Sequence, residues 1–160
     1  MKEKFVVEID ENKGIIFKVC NMYCRNREDK EDLFQDIVLQ LWRSYSSFKG
    51  ESKFSTWIYR IAINTAITRL RKETKKEKFT ERDIDELQLP IYTASDEDEK
   101  MELMYQAIDR LSEVEKAITM LYIDECNYKE MAEIIGISES NIGFKLNKIK
   151  AKLKNIVKSL

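Results

Sequence analysis

The chain has 160 residues, enough for one ordinary domain or two small ones, and a net charge of −1. Its four glycines and single proline are too few for a β-sandwich or barrel with many tight turns. No apolar run reaches the roughly 20 residues of a membrane span, and the N-terminus lacks a signal-peptide pattern. We therefore expect an all-α protein that is cytoplasmic and not inserted in a membrane.

Positive and negative charges are segregated along the chain. Residues 42–76 contain nine Lys or Arg against two Asp or Glu, and residues 139–160 contain six against one. The intervening residues 77–99 contain two Lys or Arg against nine Asp or Glu. Because polyanion binding depends on local cations, the near-neutral total does not argue against a nucleic-acid partner.

Three amphipathic helices are predicted in the first half of the chain. The spacing of apolar residues places them at about 11–23, 28–45 and 55–71, with a loop over 46–53 that contains Gly50. The second helix has a buried stripe that includes Ile37 and Leu41. Its polar residues fall on another face and consist of Asp32, Gln35, Asp36 and Gln40.

The loop and the third helix interleave aromatic, polar and cationic side chains. Cations hold phosphates, while aromatic faces stack on unpaired bases. The candidate DNA-contacting residues of this segment are Lys49, Ser52, Lys53, Phe54, Trp57, Arg60, Asn64, Arg69 and Arg71. As an alternative, each aromatic side chain could be a core or staple residue, and Asn64 could satisfy a neighbouring backbone group.

Residues 77–99, with Pro90, are predicted to be a linker, and four further helices are predicted at about 98–110, 113–123, 128–135 and 139–157. Ser112 with Glu115, and Asn127 with Glu130, have the spacing of capping boxes. Gly136 suits a left-handed turn after the third of these helices, and Ser138 can cap the fourth.

The last two helices form a predicted helix-turn-helix whose second helix is cationic. A short helix, a glycine-containing turn and a cationic helix are what entry into a DNA major groove requires. The candidate contacts are Glu139, Ser140, Asn141, Lys145 and Lys148. The alternative is an ordinary helical bundle in which the lysines only solvate the surface.

Signals for catalysis are absent from the sequence. The chain has no histidine, no glycine-rich phosphate loop and no Gly-x-Ser-x-Gly motif. Its three cysteines, Cys20, Cys24 and Cys126, are too few for a zinc site without other ligands, so buried thiols in a reducing compartment are expected. We therefore predict no enzyme activity, no metal or cofactor and no small-molecule substrate.

Three segments together resemble the extracytoplasmic-function (ECF) sigma factors of bacterial RNA polymerase. EDLFQDIVLQLW (31–42) resembles the polymerase-binding helix of region 2, and FKGESKFSTWIYRIAINTAITRLRK (48–72) resembles its promoter-melting segment. Residues 111–154 resemble region 4. Within them, NIGFKLNKIKAKLK resembles a branch of the family common in Bacteroidetes.

The resemblance implies a promoter-specificity subunit with a region 2 three-helix bundle at 1–76, a linker at 77–99 and region 4 at 100–160. It assigns the polar face of the second helix to the clamp helices of the polymerase's largest subunit. The loop and third helix are assigned to the −10 element, and the helix-turn-helix to the −35 element. Promoter DNA, core RNA polymerase and an anti-sigma factor are the implied partners.

Two departures from the family pattern are visible. The family often has an acidic residue four positions after the asparagine of the third helix, whereas Thr68 follows Asn64 here. Family recognition helices are often rich in arginine, whereas the cations here are lysines, which form fewer bidentate contacts with guanine.

Two other classes of protein remain as alternatives to a sigma factor. One is a stand-alone helix-turn-helix repressor or activator, and the other is a helical protein–protein adaptor.

Overall fold

The computed structural model describes the backbone of residues 1–77 and 96–159, and the side chains of residues 1–73 and 99–159. The described residues form seven α-helices and one short 3-10 helix, without a strand. They are α1 Lys2–Tyr23, α2 Arg27–Ser44, the 3-10 helix Tyr45–Ser47, α3 Phe54–Glu77, α4 Asp96–Asp109, α5 Glu113–Ile123, α6 Tyr128–Ile135 and α7 Glu139–Ser159. The predicted all-α class is confirmed.

Helices α1, α2 and α3 pack against one another around an apolar core. Ile37 and Leu41 of the predicted α2 stripe are completely buried, while Phe34 and Val38 are half-buried. Leu33 was not predicted as part of the stripe, but it is 1% exposed because it lies one turn before Ile37. The fully buried residues of the other two helices include Ile16, Val19, Ile58 and Ala62.

Two predicted helix boundaries are wrong. The first helix begins at Lys2 rather than near residue 11, because Phe5 and Ile9 are buried. The ring of Phe5 packs edge-on against Trp42 at 5.0 Å between centroids. Helix α3 continues to Glu77 rather than ending near residue 71. Helix α4 begins at Asp96, close to its predicted start at about residue 98 and inside the predicted linker. The remainder of that linker, residues 78–95, lies outside the described residues.

The predicted caps of the C-terminal half are confirmed. Capping boxes form at Ser112 with Glu115 and at Asn127 with Glu130. Gly136 ends α6 with a φ of +84°, which favours glycine, and Ser138 Oγ accepts the Asn141 N–H at 3.2 Å. The predicted stripe on α7 is buried at Ile142, Leu146 and Ile149, and half-buried at Leu153 and Ile156.

The two halves of the chain are in contact. Helix α1 packs against α5, and α3 packs against both α5 and α6. Asp124, at the C-terminal end of α5, accepts hydrogen bonds from Lys18 of α1 and from the Tyr59 hydroxyl of α3. The Tyr23 hydroxyl donates to the backbone carbonyl of Glu113 at 2.6 Å. These polar contacts tie the helix-turn-helix half to the three-helix half.

Candidate nucleic-acid interface

An exposed stripe runs along α3 on the side opposite its core residues. Trp57, Arg60, Asn64 and Arg71 recur at spacings of three, four and seven residues, which places them on one helical face. Arg60, Asn64 and Arg71 are exposed, and Trp57 is half-buried. Four of the candidate DNA-contacting residues predicted from the sequence therefore share one surface.

Three aromatic rings join the preceding loop to the start of α3. The ring centroid of Phe48 lies 5.6 Å from that of Phe54 and 5.1 Å from that of Trp57, and Phe54 and Trp57 are 5.3 Å apart. This mutual packing supports the alternative that these aromatic residues act as staples. Each of the three is only half-buried, so part of its surface stays at the protein exterior.

A pocket of about 390 Å³ lies between this loop and α3. Its walls include Lys49, Ser52, Trp57 and Arg60, and Glu133 of α6 lines it from the other half of the chain. The volume lies within the range of about 300–1,000 Å³ found for small-ligand sites. Two cations and an aromatic ring in one concave site suit a nucleotide, whereas the Glu133 carboxylate opposes a phosphate.

A second and larger groove, of about 780 Å³, lies between α2 and α3. Asn64 and Arg69 line it, so the structure divides the predicted DNA-contacting set between two concave surfaces. Arg43 and Lys72 also line this groove. Lys72 is the last residue of the predicted promoter-melting segment 48–72, whereas Arg43 was not predicted. The signal that could have identified Arg43 is the cationic block at residues 42–76, to which it belongs.

Arg69 is engaged in ion pairs with carboxylates. Its guanidinium lies 2.6 Å from Asp36, 3.6 Å from Asp32 and 3.2 Å from Glu73. Arg69 therefore meets two residues that the sequence assigned to a different surface. Its pairing arises because Arg69 lies on the side of α3 that faces α2. Arg71 is also paired, with Glu113 of α5 at 3.3 Å.

The polar face of α2 borders an apolar surface. Asp32, Gln35 and Asp36 are exposed and Gln40 is half-buried. Gln35 also lines a groove of about 580 Å³. Leu39 and Trp42 are 44% and 41% exposed in the same groove. This apolar part was not predicted, because a residue next to a buried stripe cannot be assigned to the core or the surface from its spacing alone.

Every predicted contact residue of α7 is at the surface. Glu139, Ser140, Asn141, Lys145 and Lys148 are all exposed along its first three turns. Phe144 lies among them and is 60% exposed. It was not predicted as a contact residue, because it lies outside the predicted buried stripe and has no charged or hydrogen-bonding group in its side chain.

The same lysine-bearing side of α7 is tied to α5 further along the helix. Lys152 pairs with Glu115 at 3.0 Å. Burial raises the pKa of the Glu115 carboxyl, but hydrogen bonds from the Ser112 backbone N–H and from Lys152 outweigh burial and hold the pKa below its ordinary value.

The cysteines have the environment of structural thiols. Cys20, Cys24 and Cys126 are free, and Cys20 is buried. Burial raises the pKa of the Cys20 thiol to about 12 and that of Cys126 to about 11, so both are neutral thiols at pH 7.

Among the described residues, no three His, Cys, Asp or Glu side chains come together as metal ligands would. Each described helix is too short or too polar to cross a membrane.

Comparison with known proteins matches both halves of the chain. Residues 9–76 match Sigma-70 region 2, and residues 101–153 match Sigma-70, region 4. The chain is 32% identical to RNA polymerase sigma factor YlaC of Bacillus subtilis, with 82% of this chain and 80% of that protein covered. It is 26% identical to the ECF RNA polymerase sigma factor SigW of the same organism, with 99% and 91% covered.

A solved structure has the same fold. The sigma factor RpoE of Bartonella quintana, crystallised with the anti-sigma factor NepR, superposes with a TM-score of 0.73 at 19% identity, and 98% of each chain is covered.

The fold and the exposed surfaces define a two-part helical protein with a helix-turn-helix at its C-terminal end. The chain belongs to the sigma-70 family and, within it, to the ECF type of RNA polymerase sigma factors. Sigma factors are regulatory subunits rather than catalysts. The order of the two matched regions is the order predicted from the sequence.

Proposed function

We propose that the chain is an alternative sigma factor that binds core RNA polymerase and directs promoter-specific initiation through the surfaces described above. The observation that carries this proposal is the presence of regions 2 and 4, in that order, on one chain. The protein has no catalytic activity of its own, acts in the cytoplasm and uses no small-molecule substrate. Region 2 corresponds to residues 1–76, the linker to 77–99 and region 4 to 100–160.

The exposed face of α2 is the proposed polymerase-binding surface. Asp32, Gln35 and Asp36 present polar groups there, and Gln40 lies one turn further along. Carboxylates on this face complement a basic partner surface, here the clamp helices of the largest polymerase subunit. Arg69 neutralises part of this negative charge through its ion pairs with Asp32 and Asp36. Gln35 also lines the apolar groove that contains Trp42.

The loop and α3 are the proposed site for the −10 element. Lys49, Ser52, Trp57 and Arg60 line one pocket, which is the proposed receptor for an unpaired base. Asn64 lies one turn further along the same stripe. Lys53 directly precedes α3 and Phe54 is its first residue. Arg69 and Arg71 belong to the proposed site as well, although both form ion pairs with carboxylates in this structure.

The first turns of α7 are the proposed reader of the −35 element. Glu139, Ser140 and Asn141 lie at the helix N-terminus, and Lys145 and Lys148 follow on the exposed face. Helix-turn-helix proteins place this part of the second helix in the major groove. Lysines are flexible point charges, so we expect phosphate contacts to supply most of the affinity of this helix.

An anti-sigma factor is the proposed regulator, because the matched RpoE structure contains one. The proposed placement in the Bacteroidetes branch of the family rests on the sequence of residues 141–154.

Binding of genomic DNA fragments tests the proposed function, and the fragments that the protein binds are the ones retained. We expect the complex of core polymerase with the chain to retain fragments that share two short sequence elements at a fixed spacing. The free chain and the core enzyme alone should retain these fragments weakly. The matched control is Lys13→Glu, a charge reversal on the exposed part of α1, which should leave retention unchanged. Equal, tight and sequence-specific retention by the free chain would instead support a stand-alone repressor or activator.

A further inference from the structure

Phe144 is the centre of the exposed face of α7. With 100° between successive residues, Ser140 and Lys148 lie within about 40° of Phe144 around the helix. Asn141 lies about 60° away on the same face. The buried residues Ile142, Leu146 and Ile149 lie on the opposite side. The ring is 60% exposed, so packing within the described chain does not account for a large apolar group at this position.

The surroundings of Phe144 are cationic. The Lys148 ammonium lies 4.5 Å from the ring centroid, and Lys145 is the next residue along the chain. Residues 139–160 contain six lysines against one acidic residue. An aromatic ring within a lysine-rich face complements a partner that has a dense negative charge and, at one point, an apolar group.

Duplex DNA offers such a group in the major groove. Thymine presents its C5-methyl there, and none of the other three bases carries a methyl group. We propose that Phe144 determines specificity by packing against the methyl group of a thymine in the upstream element read by α7. This inference rests on the proposed function, and it assigns base readout to an apolar side chain while Lys145 and Lys148 hold phosphates.

Replacing thymine by uracil tests the contact, because uracil differs only by the missing methyl group. On promoter fragments retained by core enzyme with the chain, each thymine of the upstream element is replaced singly, and closed-complex affinity is measured at low temperature. At one or two of these thymine positions, we expect the uracil form to bind about fourfold more weakly than the thymine form. This is the effect of losing one buried methyl group. Phe144→Ala should bind the thymine and uracil forms equally.

Tyr122 supplies a matched control. It is 46% exposed and lies under the Lys150 ammonium at 4.6 Å, so it forms the same kind of aromatic–lysine pair away from the exposed face of Phe144. Tyr122→Ala should keep the full preference for thymine. The proposal is overturned if Phe144→Ala also keeps it, or if no thymine in the upstream element matters while the complex binds specifically. Absence of any promoter-specific binding would instead refute the proposed function on which the inference rests.

Discussion

Asn64 and Lys145 lie on different helices and are expected to meet DNA in different states. Asn64 is exposed on α3, where it lines the groove between α2 and α3 on the same helical stripe as Trp57, whereas Lys145 is exposed on α7. Aromatic and amide groups capture a base only after the strands separate, because the base is otherwise stacked in the duplex. A lysine on the helix-turn-helix meets the intact duplex.

Single substitutions should separate these two roles. Asn64→Ala and Trp57→Ala should reduce strand opening, measured by permanganate footprinting, more than they reduce closed-complex binding. Lys145→Ala should weaken closed binding and reduce the slope of its salt dependence by about one counterion if it contacts one phosphate. Because Trp57 packs on Phe48 and Phe54, its variant needs a circular dichroism check, whereas Asn64 is outside the core.

A pre-melted bubble template serves as the control for these variants. It should rescue Asn64→Ala if the defect is in opening, and should fail to rescue it if the defect is in base capture. Equal loss of closed binding by all three variants, with normal opening on bound templates, would contradict the proposed division of labour.

At the scale of helices, α2 and α3 share an ion-pair cluster that affects any test of the polymerase surface. Asp32→Lys with Asp36→Lys should weaken binding to core enzyme at least about tenfold, since it places like charge against a basic partner. The same change removes two partners of Arg69. Arg69→Gln removes the ion pairs but keeps both carboxylates, so it should bind core enzyme at least as well as the native chain. A pull-down in which Arg69→Gln binds as weakly as the double variant would contradict the assignment.

Two glycines make opposite contributions to helix stability. Gly14 lies within α1, and a Cβ added there would meet no other atom within 4 Å, so Gly14→Ala should stabilise the protein by about 0.5–1 kcal/mol. Gly136 ends α6 at a φ of +84°, so Gly136→Ala should cost about 1–2 kcal/mol. Urea titration followed by circular dichroism measures both. Destabilisation by Gly14→Ala, or no effect of Gly136→Ala, would contradict these local conformations.

Local signals explain which elements could be predicted from the sequence. The capping boxes at Ser112 and Asn127 were predictable because their partners are three residues apart. The early start of α1 was not, because its first turns are polar apart from Phe5, Val6, Val7 and Ile9, which give no continuous helical stripe. The bond between Tyr59 and Asp124 joins residues 65 apart in sequence, so no local pattern indicates it.

At the scale of the whole molecule, the packing of α6 on α3 places part of region 4 beside the proposed −10 site. Glu133 lines the pocket that contains Trp57 and Arg60. A carboxylate there opposes a DNA phosphate, so the free chain in this arrangement should bind promoter DNA weakly. We expect the two halves to separate before the pocket can accept DNA.

Asp124 is the residue with which to test this arrangement. Asp124→Ala removes the bonds from Lys18 and Tyr59. Losing these bonds should shift the equilibrium between packed and separated halves about tenfold toward the separated arrangement. This shift is near the lower end of the free energy expected for hydrogen bonds to charged groups, because the Asp124 side chain is 26% exposed to solvent. Small-angle X-ray scattering should show a larger radius of gyration. Asp10→Ala, which removes an ion pair within α1, should leave it unchanged. An unchanged radius in Asp124→Ala would contradict a role of this residue in holding the halves together.

Run-off transcription is the most direct measurement of the central claim, which is that this chain confers promoter specificity on core RNA polymerase. Core enzyme is supplied with the retained fragments, with and without the chain, and the 5′ ends of the transcripts are mapped. We predict transcripts that start at a fixed distance downstream of the shared elements and only when the chain is present. Retained fragments without chain-dependent transcripts would contradict the claim.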